Sequence, residues 1–191
     1  MTRKALPGRV ILTLSFAACS IASAADLTPP GVHNFHQVDE HIYRGAQPLP
    51  AGFKSLAKLG VKTVIDLRGG KEHTAEEEGL VKAAGMRYIH IPLGGYSAPT
   101  DEEITKILGI LNDSGGWPVF VHCRRGADRT GTVVACYRIS HDHWQNEKAL
   151  TEARLHGMSW TERAMQHYIL RYNAGANPPP PPLGKSKTDT P

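Results

Sequence analysis

The sequence predicts an α/β fold with a mainly parallel central sheet flanked by helices. Short apolar runs rich in strand formers alternate along the chain with stretches of helical periodicity, an order that produces parallel strands joined by helices. The clearest strands are predicted at 61–68, 86–91 and 118–121. A loop rich in arginine and glycine directly follows the third strand, and ligand sites of such sheets lie beyond the carboxyl ends of central strands.

Local signals place the first elements of the chain. Two short strands are predicted at 35–38 and 42–43, where aromatic and β-branched residues flank a polar turn. A helix is predicted over 50–59, because apolar residues recur on one of its faces. Pro50 suits its first turn and Gly60 suits its end.

Three of the later helices are predicted to begin at capping boxes, in which Ser or Thr is followed three residues later by Glu. In such a box the two side chains accept hydrogen bonds from each other's backbone N–H groups. Further helices without a box are predicted after the arginine-rich loop and over 147–156. The three pairs are Thr74 with Glu77, Thr100 with Glu103 and Ser159 with Glu162.

The segment HCRRGADRTG, from His122 to Gly131, joins the third strand to an apolar helix. The first N–H groups of a helix lack intrahelical partners and its macrodipole is positive there, so a tight loop at this point can surround a phosphate dianion. Gly126 allows the backbone to turn inward where a side chain would obstruct it. The planar guanidinium of Arg129 can hold two phosphate oxygens at once, which lysine cannot do. The segment therefore predicts a phosphate-binding loop.

Cys123 lies at the mouth of this loop. The N–H dipoles and arginine cations there favour a thiolate, which is the nucleophilic form and can attack phosphorus. The alternative is a structural cysteine before an ordinary strand-to-helix turn, since free cysteines are usually inert core residues. The arginines, the glycine and the Thr-Gly pair at this spacing favour a phosphoryl-transfer site.

The pattern of His-Cys, five residues, Arg and Thr resembles the signature of the cysteine-dependent protein tyrosine and dual-specificity phosphatases. The resemblance implies a phosphocysteine intermediate on Cys123, substrate and transition-state binding by Arg129, and assistance to the departing thiolate from Thr130. His122 is implied to orient the cysteine. We expect catalysis without a metal or another cofactor. The residues implied to bind the substrate phosphate are Arg124, Arg125, Gly126, Ala127, Asp128 and Arg129.

The resemblance covers about residues 35–173 and is to small bacterial and to atypical fungal and plant members of the family. The segments 43–48 and 60–68 resemble the opening of these proteins. The family fold is therefore implied, with the phosphate loop between a central strand and a helix. Residues that resemble the helix after the active site are Trp144, Ala149, Glu152, Arg154 and Gly157.

The expected general acid departs from the family pattern. These phosphatases usually carry an aspartate in the loop after the strand that ends here at Ile91, but residues 92–99 contain no carboxylate. Asp128, beside Arg129 in the loop, is our first candidate for the acid, and Asp101 is the alternative. Each also has a structural interpretation. The role of Asp128 could be limited to a salt bridge with a neighbouring arginine, and Asp101 could belong to an ordinary acidic first turn of a helix.

Two classes of substrate suit the loop. Arg124 and Arg125 add positive charge that phosphoinositides or inositol polyphosphates would use, whereas phosphotyrosine needs one phosphate site and an aromatic wall, which Tyr96 offers. We expect a protein tyrosine or dual-specificity phosphatase, with the polyphosphorylated small molecules as the alternative. Lower-ranked alternatives are a catalytically silent phosphate-binding module and a sulfurtransferase of the rhodanese type, whose loop does not require the Arg-Thr pair.

The first 24 residues predict a secretory signal peptide. Three cations precede the apolar residues 10–18, and small residues precede a cleavage point near Ala24 and Ala25. The apolar run is shorter than the roughly 20 residues that span a bilayer, so we expect export to the periplasm or beyond without a membrane segment in the mature chain. Cleavage would lower the net charge from +4 to +1, with 19 Lys and Arg against 18 Asp and Glu.

The rest of the chain is assigned by composition. We predict an irregular segment at 25–34, a phosphatase domain at 35–173 and a proline-rich disordered tail at 174–191. No basic stripe lies outside the loop, which argues against nucleic-acid binding. Cys136 is predicted to be a core residue, and its pairing with Cys123 is left open. His141 and His143 lack a third ligand by spacing, so no metal site is predicted.

Overall fold

Residues 28–70 and 74–176 are described here in a computed structural model of the chain. The strands are β1 (His36–Gln37), β2 (Ile42–Ala46), β3 (Thr63–Asp66), β4 (Arg87–His90) and β5 (Val119–Cys123). The helices are α1 (Pro50–Lys58), α2 (Thr74–Ala83), α3 (Asp101–Leu111), α4 (Asp128–Ser140), α5 (Asn146–Leu155) and α6 (Arg163–Arg171), with a 3₁₀ turn at Ser114–Gly116.

The strands form one sheet in the order β1-β2-β5-β3-β4. The edge strand β1 is antiparallel to β2, and the other pairs are parallel. The predicted α/β class with a mainly parallel sheet is therefore confirmed. Strand β5 lies at the centre, where Cys123 pairs with Ala46 of β2 and His122 with Asp66 of β3. The loop after β5 thus begins at the middle of the sheet's carboxyl edge.

The two faces of the sheet carry separate hydrophobic clusters. Val119 and Val121 of β5 pack into the cluster formed with α3 to α6, whereas Phe120 between them packs with α1 and α2. This alternation follows from the two-residue period of a strand. Burial on both faces explains why the sequence of β5 is continuously apolar up to His122.

Only one of the three predicted capping boxes is present as predicted. Thr100 and Glu103 form both reciprocal hydrogen bonds at the start of α3. The prediction for Glu77 is wrong, because its buried carboxylate contacts Arg68 and His122 instead. The prediction for Glu162 is also wrong, because Glu162 is itself the N-cap of α6 and no side chain caps that helix.

Cys136 is fully buried on α4, in the cluster with α3, α5 and α6. Burial raises the pKa of its thiol well above the ordinary value, so Cys136 is an unreactive core residue. Cys123 and Cys136 are both free thiols. Within the described part of the chain, no helix has the length and apolar character needed to cross a membrane. The predicted signal peptide and proline run lie outside the described residues.

The assigned core predicts that alanine substitutions at two leucines change the free energy of unfolding by very different amounts. Leu108 of α3 is fully buried, whereas Leu155 of α5 is 80% exposed. Leu108→Ala should lower the free energy of unfolding by about 2–5 kcal/mol, because it leaves a cavity between the sheet and α3. Leu155→Ala should change it by less than about 0.5 kcal/mol. Denaturant titration of both variants checks this, and equal losses would contradict the assigned core.

Candidate active site

A cavity of about 640 Å³ opens at the carboxyl end of β5. Four segments form its walls: the loop after β5, the segment after β3, the segment after β4, and the turn between α5 and α6. Its lining brings Cys123 together with most of the predicted phosphate-binding residues. The lining residues are Cys123, Arg124, Arg125, Asp128 and Arg129; Gly69, Gly70, Leu93, Gly94, Gly95 and Tyr96; and Ser159, Thr161 and Glu162.

The loop after β5 is folded against β2 by a tight backbone contact. Gly126 has a φ of +67°, and a Cβ atom there would lie 2.2 Å from the carbonyl carbon of Gly45. No other residue type fits this position without moving β2. Gly126 and Ala127 are buried behind the cavity, which makes them part of the loop's frame.

The carbonyl oxygens of the loop accept hydrogen bonds from groups outside the cavity. Gly126 O accepts from Arg44 Nη2 at 2.8 Å and from Asn34 Nδ2 at 3.1 Å, and Asn34 Nδ2 also donates to Arg125 O. The backbone N–H groups of 125–129 make no hydrogen bond within the part of the chain that the structure describes. A row of unpaired N–H groups at the start of α4 is the arrangement that binds an anion.

Arg44 places a buried positive charge behind this loop. Its side chain is almost fully buried, and Nε and Nη1 have no hydrogen-bond partner among the described residues. Burial lowers the pKa of Arg44 to about 10, against the opposing effect of the Glu152 and Cys123 charges. Arg44 is therefore still a cation at neutral pH. Arg44 lies within the segment 43–48 that resembles the family, but its sequence context predicts no role for it.

His122 is held by a buried network that the sequence did not reveal. Its Nε2 lies 2.8 Å from Glu77 Oε1, and Arg68 Nη2 lies 2.6 Å from Glu77 Oε2 and 2.7 Å from Asp66 Oδ2. Tyr88 donates a hydrogen bond to the same Asp66 oxygen. Burial acts to raise the pKa of Asp66, but hydrogen bonds from Arg68 outweigh it and hold that pKa below the ordinary value. The network fixes the residue that precedes Cys123.

Asp66, Glu77 and His122 are also the one group among the described residues whose spacing would suit a metal ion. The guanidinium of Arg68 already contacts both carboxylates. Because Arg68 neutralises these charges, we assign the group a structural role.

The two candidate acids occupy different places. Asp128 lies in the cavity, where Oδ1 accepts a hydrogen bond from Ser159 N and Oδ2 accepts one from Arg125 Nη2. Asp101 is not among the residues that line the cavity, and its carboxylate accepts a hydrogen bond from Tyr168 on α6. The structure therefore brings Asp128, but not Asp101, to the predicted nucleophile.

The remaining predicted residues surround the nucleophile. Arg129 lines the cavity, and its Nη1 lies 3.4 Å from Leu67 O at the end of β3. Arg124 and Arg125 are exposed at the rim, and Tyr96 is 87% exposed on the opposite wall. Thr130 Oγ1 is buried with no hydrogen-bond partner in the described chain, so its assistance to the thiolate stays a prediction.

Comparison with known proteins decides the family. A family model described as "DSP-PTPase phosphatase fused to NAD+ Kinase" matches residues 28–170. The chain belongs to this phosphatase family. The phosphatase class of its relatives and the cysteine in its phosphate loop make it a cysteine-dependent phosphatase.

Relatives of the chain are named for different substrates. The chain is 32% identical over 134 residues to putative tyrosine-protein phosphatase OCA1 of Mycosarcoma maydis, which covers 67% of this chain and 81% of that protein. It is 28% identical over 142 residues to inositol diphosphatase DSP3 of Arabidopsis thaliana, covering 72% and 68%. The core catalytic domain of the PP-IP phosphatase SIW14 from S. cerevisiae superposes with a TM-score of 0.69 at 26% identity, covering 78% of this chain and 90% of that one.

Two glycines of positive φ test the loop contact. Gly126 and Gly85 have φ values of +67° and +81°, but a Cβ at Gly85 would meet nothing within 4 Å. Gly85→Ala should cost only the conformational strain of about 1–2 kcal/mol and leave activity intact. Gly126→Ala should lower kcat/KM about 10²-fold, because β2 must move and displace the loop. Aryl phosphate kinetics on both variants check this, and equal activities would contradict the contact.

A pair of histidines beside Arg44 predicts how stability depends on pH. The ring centroids of His36 and His156 lie 4.1 Å apart. Burial is the main cause that lowers the pKa of His156 to about 4, and the charge of Arg44 is the second. In the unfolded chain the imidazole has a pKa of about 6.5. The part of the folding stability that depends on a neutral His156 is therefore fully present above that pH. It should be lost as the pH falls from about 6.5 towards 4, because protons then bind the unfolded chain first.

The matched variants are His156→Asn and His167→Asn, the latter on the exposed side of α6. Denaturant titrations between pH 7 and pH 4.5 measure the slope of the unfolding free energy. The slope should become shallower in His156→Asn only. An unchanged slope in that variant would show that His156 does not carry this dependence.

Proposed function

We propose that the chain is an exported phosphatase that hydrolyses phosphotyrosine in proteins, or another aryl phosphate, through a phosphocysteine on Cys123. The observation that carries the proposal is the position of Cys123 in the cavity, beside Arg129 and next to the unpaired N–H groups of 125–129. Export rests on the three-part signal within residues 1–24.

The loop supplies the electrostatic part of catalysis. The N–H groups of 125–129 and the fork of Arg129 bind the phosphate oxygens, whose charge spreads over three equatorial positions in the transition state. Cys123 is 2% exposed at the end of β5, which fixes its direction of attack. The thiolate displaces the ester oxygen in line, and water then displaces the thiolate from phosphorus.

The wall of the cavity opposite the loop supports an aryl substrate. The wall opposite the loop is made of small residues and carries Tyr96, whose exposed ring can pack against a phenyl group. The relative from Mycosarcoma maydis is named a putative tyrosine-protein phosphatase, which supports this choice.

An inositol polyphosphate is the second candidate substrate. Arg124 and Arg125 are exposed at the rim, and Arg124 also lines a second cavity of about 440 Å³ beside the first. Additional phosphates on one ring would contact these guanidinium groups. The relatives DSP3 and SIW14 are both named as inositol diphosphatases, which supports the same candidate.

The two described cysteines test the mechanism. Cys123→Ser should abolish hydrolysis of an aryl phosphate in the presence of chelator, because serine at this position is not ionised, while phosphate-analogue binding is retained. Cys136→Ala should keep its activity, since that thiol lies in the core. Steady-state kinetics and orthovanadate titration measure both properties. Turnover by Cys123→Ser would exclude the mechanism.

The same preparation separates the substrates and the rival functions. A panel of phosphotyrosine peptide, phosphoserine peptide, a phosphoinositide and an inositol polyphosphate should show the highest kcat/KM for phosphotyrosine. Preference for the inositol compound would replace the proposed substrate and keep the cysteine chemistry. Binding without turnover would indicate a silent module, and transfer of sulfur from thiosulfate would indicate a sulfurtransferase.

A further inference from the structure

Two carboxylates line the described part of the cavity, and they differ in their surroundings. Asp128 lies at the first position of α4, and Glu162 is the N-cap of α6. The segment after β4, which carries the acid in related phosphatases, contributes only Leu93, Gly94, Gly95 and Tyr96 to the lining. Departure of an unactivated leaving group from phosphorus requires a proton, so the source of that proton must be sought elsewhere.

Asp128 is arranged as a hydrogen-bond acceptor at both oxygens. Ser159 N donates to Oδ1 at 2.8 Å, and Arg125 Nη2 donates to Oδ2 at 2.7 Å. Both oxygens of Asp128 already have partners, one in the turn at Ser159 and the other on the side chain of Arg125. Asp128 is therefore better suited to holding Arg125 and the turn at Ser159.

Glu162 has the opposite surroundings. It is 8% exposed and lies in the cavity wall, yet its carboxylate forms no hydrogen bond or ion pair within residues 28–70 and 74–176. The charges of Asp128, Arg125 and Arg129 act on this carboxylate. Burial first, and then the Asp128 charge, raise the pKa of Glu162, against the opposing effect of the two arginines.

The backbone around Glu162 is held in place by the phosphate loop. Its N–H donates to Ser159 O, and its own carbonyl accepts from Gln166 N in the first turn of α6. Gln166 Nε2 also donates to Ser159 O at 2.8 Å. Because Ser159 is bound to Asp128 at the start of α4, the position of Glu162 is coupled to the loop that binds the phosphate.

We propose that Glu162 is the proton donor to the leaving oxygen, and that Asp128 orients the turn that carries it. This inference rests on the proposed phosphatase function. As Cys123 Sγ forms its bond to phosphorus, the phosphorus–oxygen ester bond breaks and its electron pair stays on the ester oxygen. That oxygen takes the proton from Glu162 and leaves as an alcohol or phenol. The Glu162 carboxylate then removes a proton from the water that attacks phosphorus, and the thiolate departs.

The leaving-group dependence of single variants tests this assignment. Glu162→Gln should lower kcat/KM for phenyl phosphate about 10²-fold or more, the contribution expected from a positioned acid. It should lower kcat/KM for 4-nitrophenyl phosphate by much less, because that leaving group departs without a proton. Asp128→Asn should affect both substrates by the same factor. Glu147→Gln, at an exposed position on α5, is the matched control and should behave like the unchanged protein.

Each other result overturns the assignment. An equal loss on both substrates in Glu162→Gln would show that Glu162 only supports the arginines. A leaving-group dependence confined to Asp128→Asn or Asp101→Asn would assign the acid to that aspartate. In either case, the proposed function stands if the unchanged protein is active and the Cys123→Ser variant is not. A chain without Cys123-dependent hydrolysis would overturn the proposed function and this inference together.

Discussion

The active site depends on the contact between the phosphate loop and strand β2. Gly126 lies so close to Gly45 and Ala46 that no Cβ atom can be accommodated, and Arg44 from the same strand donates to the Gly126 carbonyl. These interactions turn the carbonyl groups of the loop away from the cavity and leave its N–H groups unpaired. The anion-binding form of the loop therefore depends on two segments, the loop itself and strand β2. Arg44 and Gly126, which join them, are 82 residues apart in the sequence.

Two buried charged groups support Cys123 from different sides. Arg44 lies behind the loop, and two of its nitrogen atoms have no hydrogen-bond partner in the described parts of the chain, while Glu77 of the network with Arg68 and Asp66 contacts His122. Burying charges without full compensation is unfavourable for folding, so such groups are retained where they serve another purpose. Here they place one positive charge near Cys123 and hold the backbone that carries this residue. The apolar clusters on both faces of the sheet supply the stability that these groups do not.

The fold and the nucleophile could be predicted from sequence because their signals are local. Strand and helix periodicity indicated the class, and the ten residues from His122 to Gly131, which include the end of β5, indicated Cys123 and Arg129. Glu77 and Glu162 were missed for a physical reason, since each stands three residues after a Ser or Thr and matches a capping box. Their actual contacts are set by residues distant in sequence, such as His122 and Asp128. The contacts of Asn34 and Arg44 were hidden in the same way, because each side chain donates to a loop that is far away in the sequence.

The most direct test of the central claim is to trap the covalent intermediate. The full chain is mixed with an aryl phosphate, quenched in acid within one turnover, digested and analysed by mass spectrometry. We expect one added phosphoryl group on the peptide that contains Cys123 and none on the peptide that contains Cys136. Turnover without any phosphorylated cysteine, or with phosphate on a different residue, would contradict this expectation.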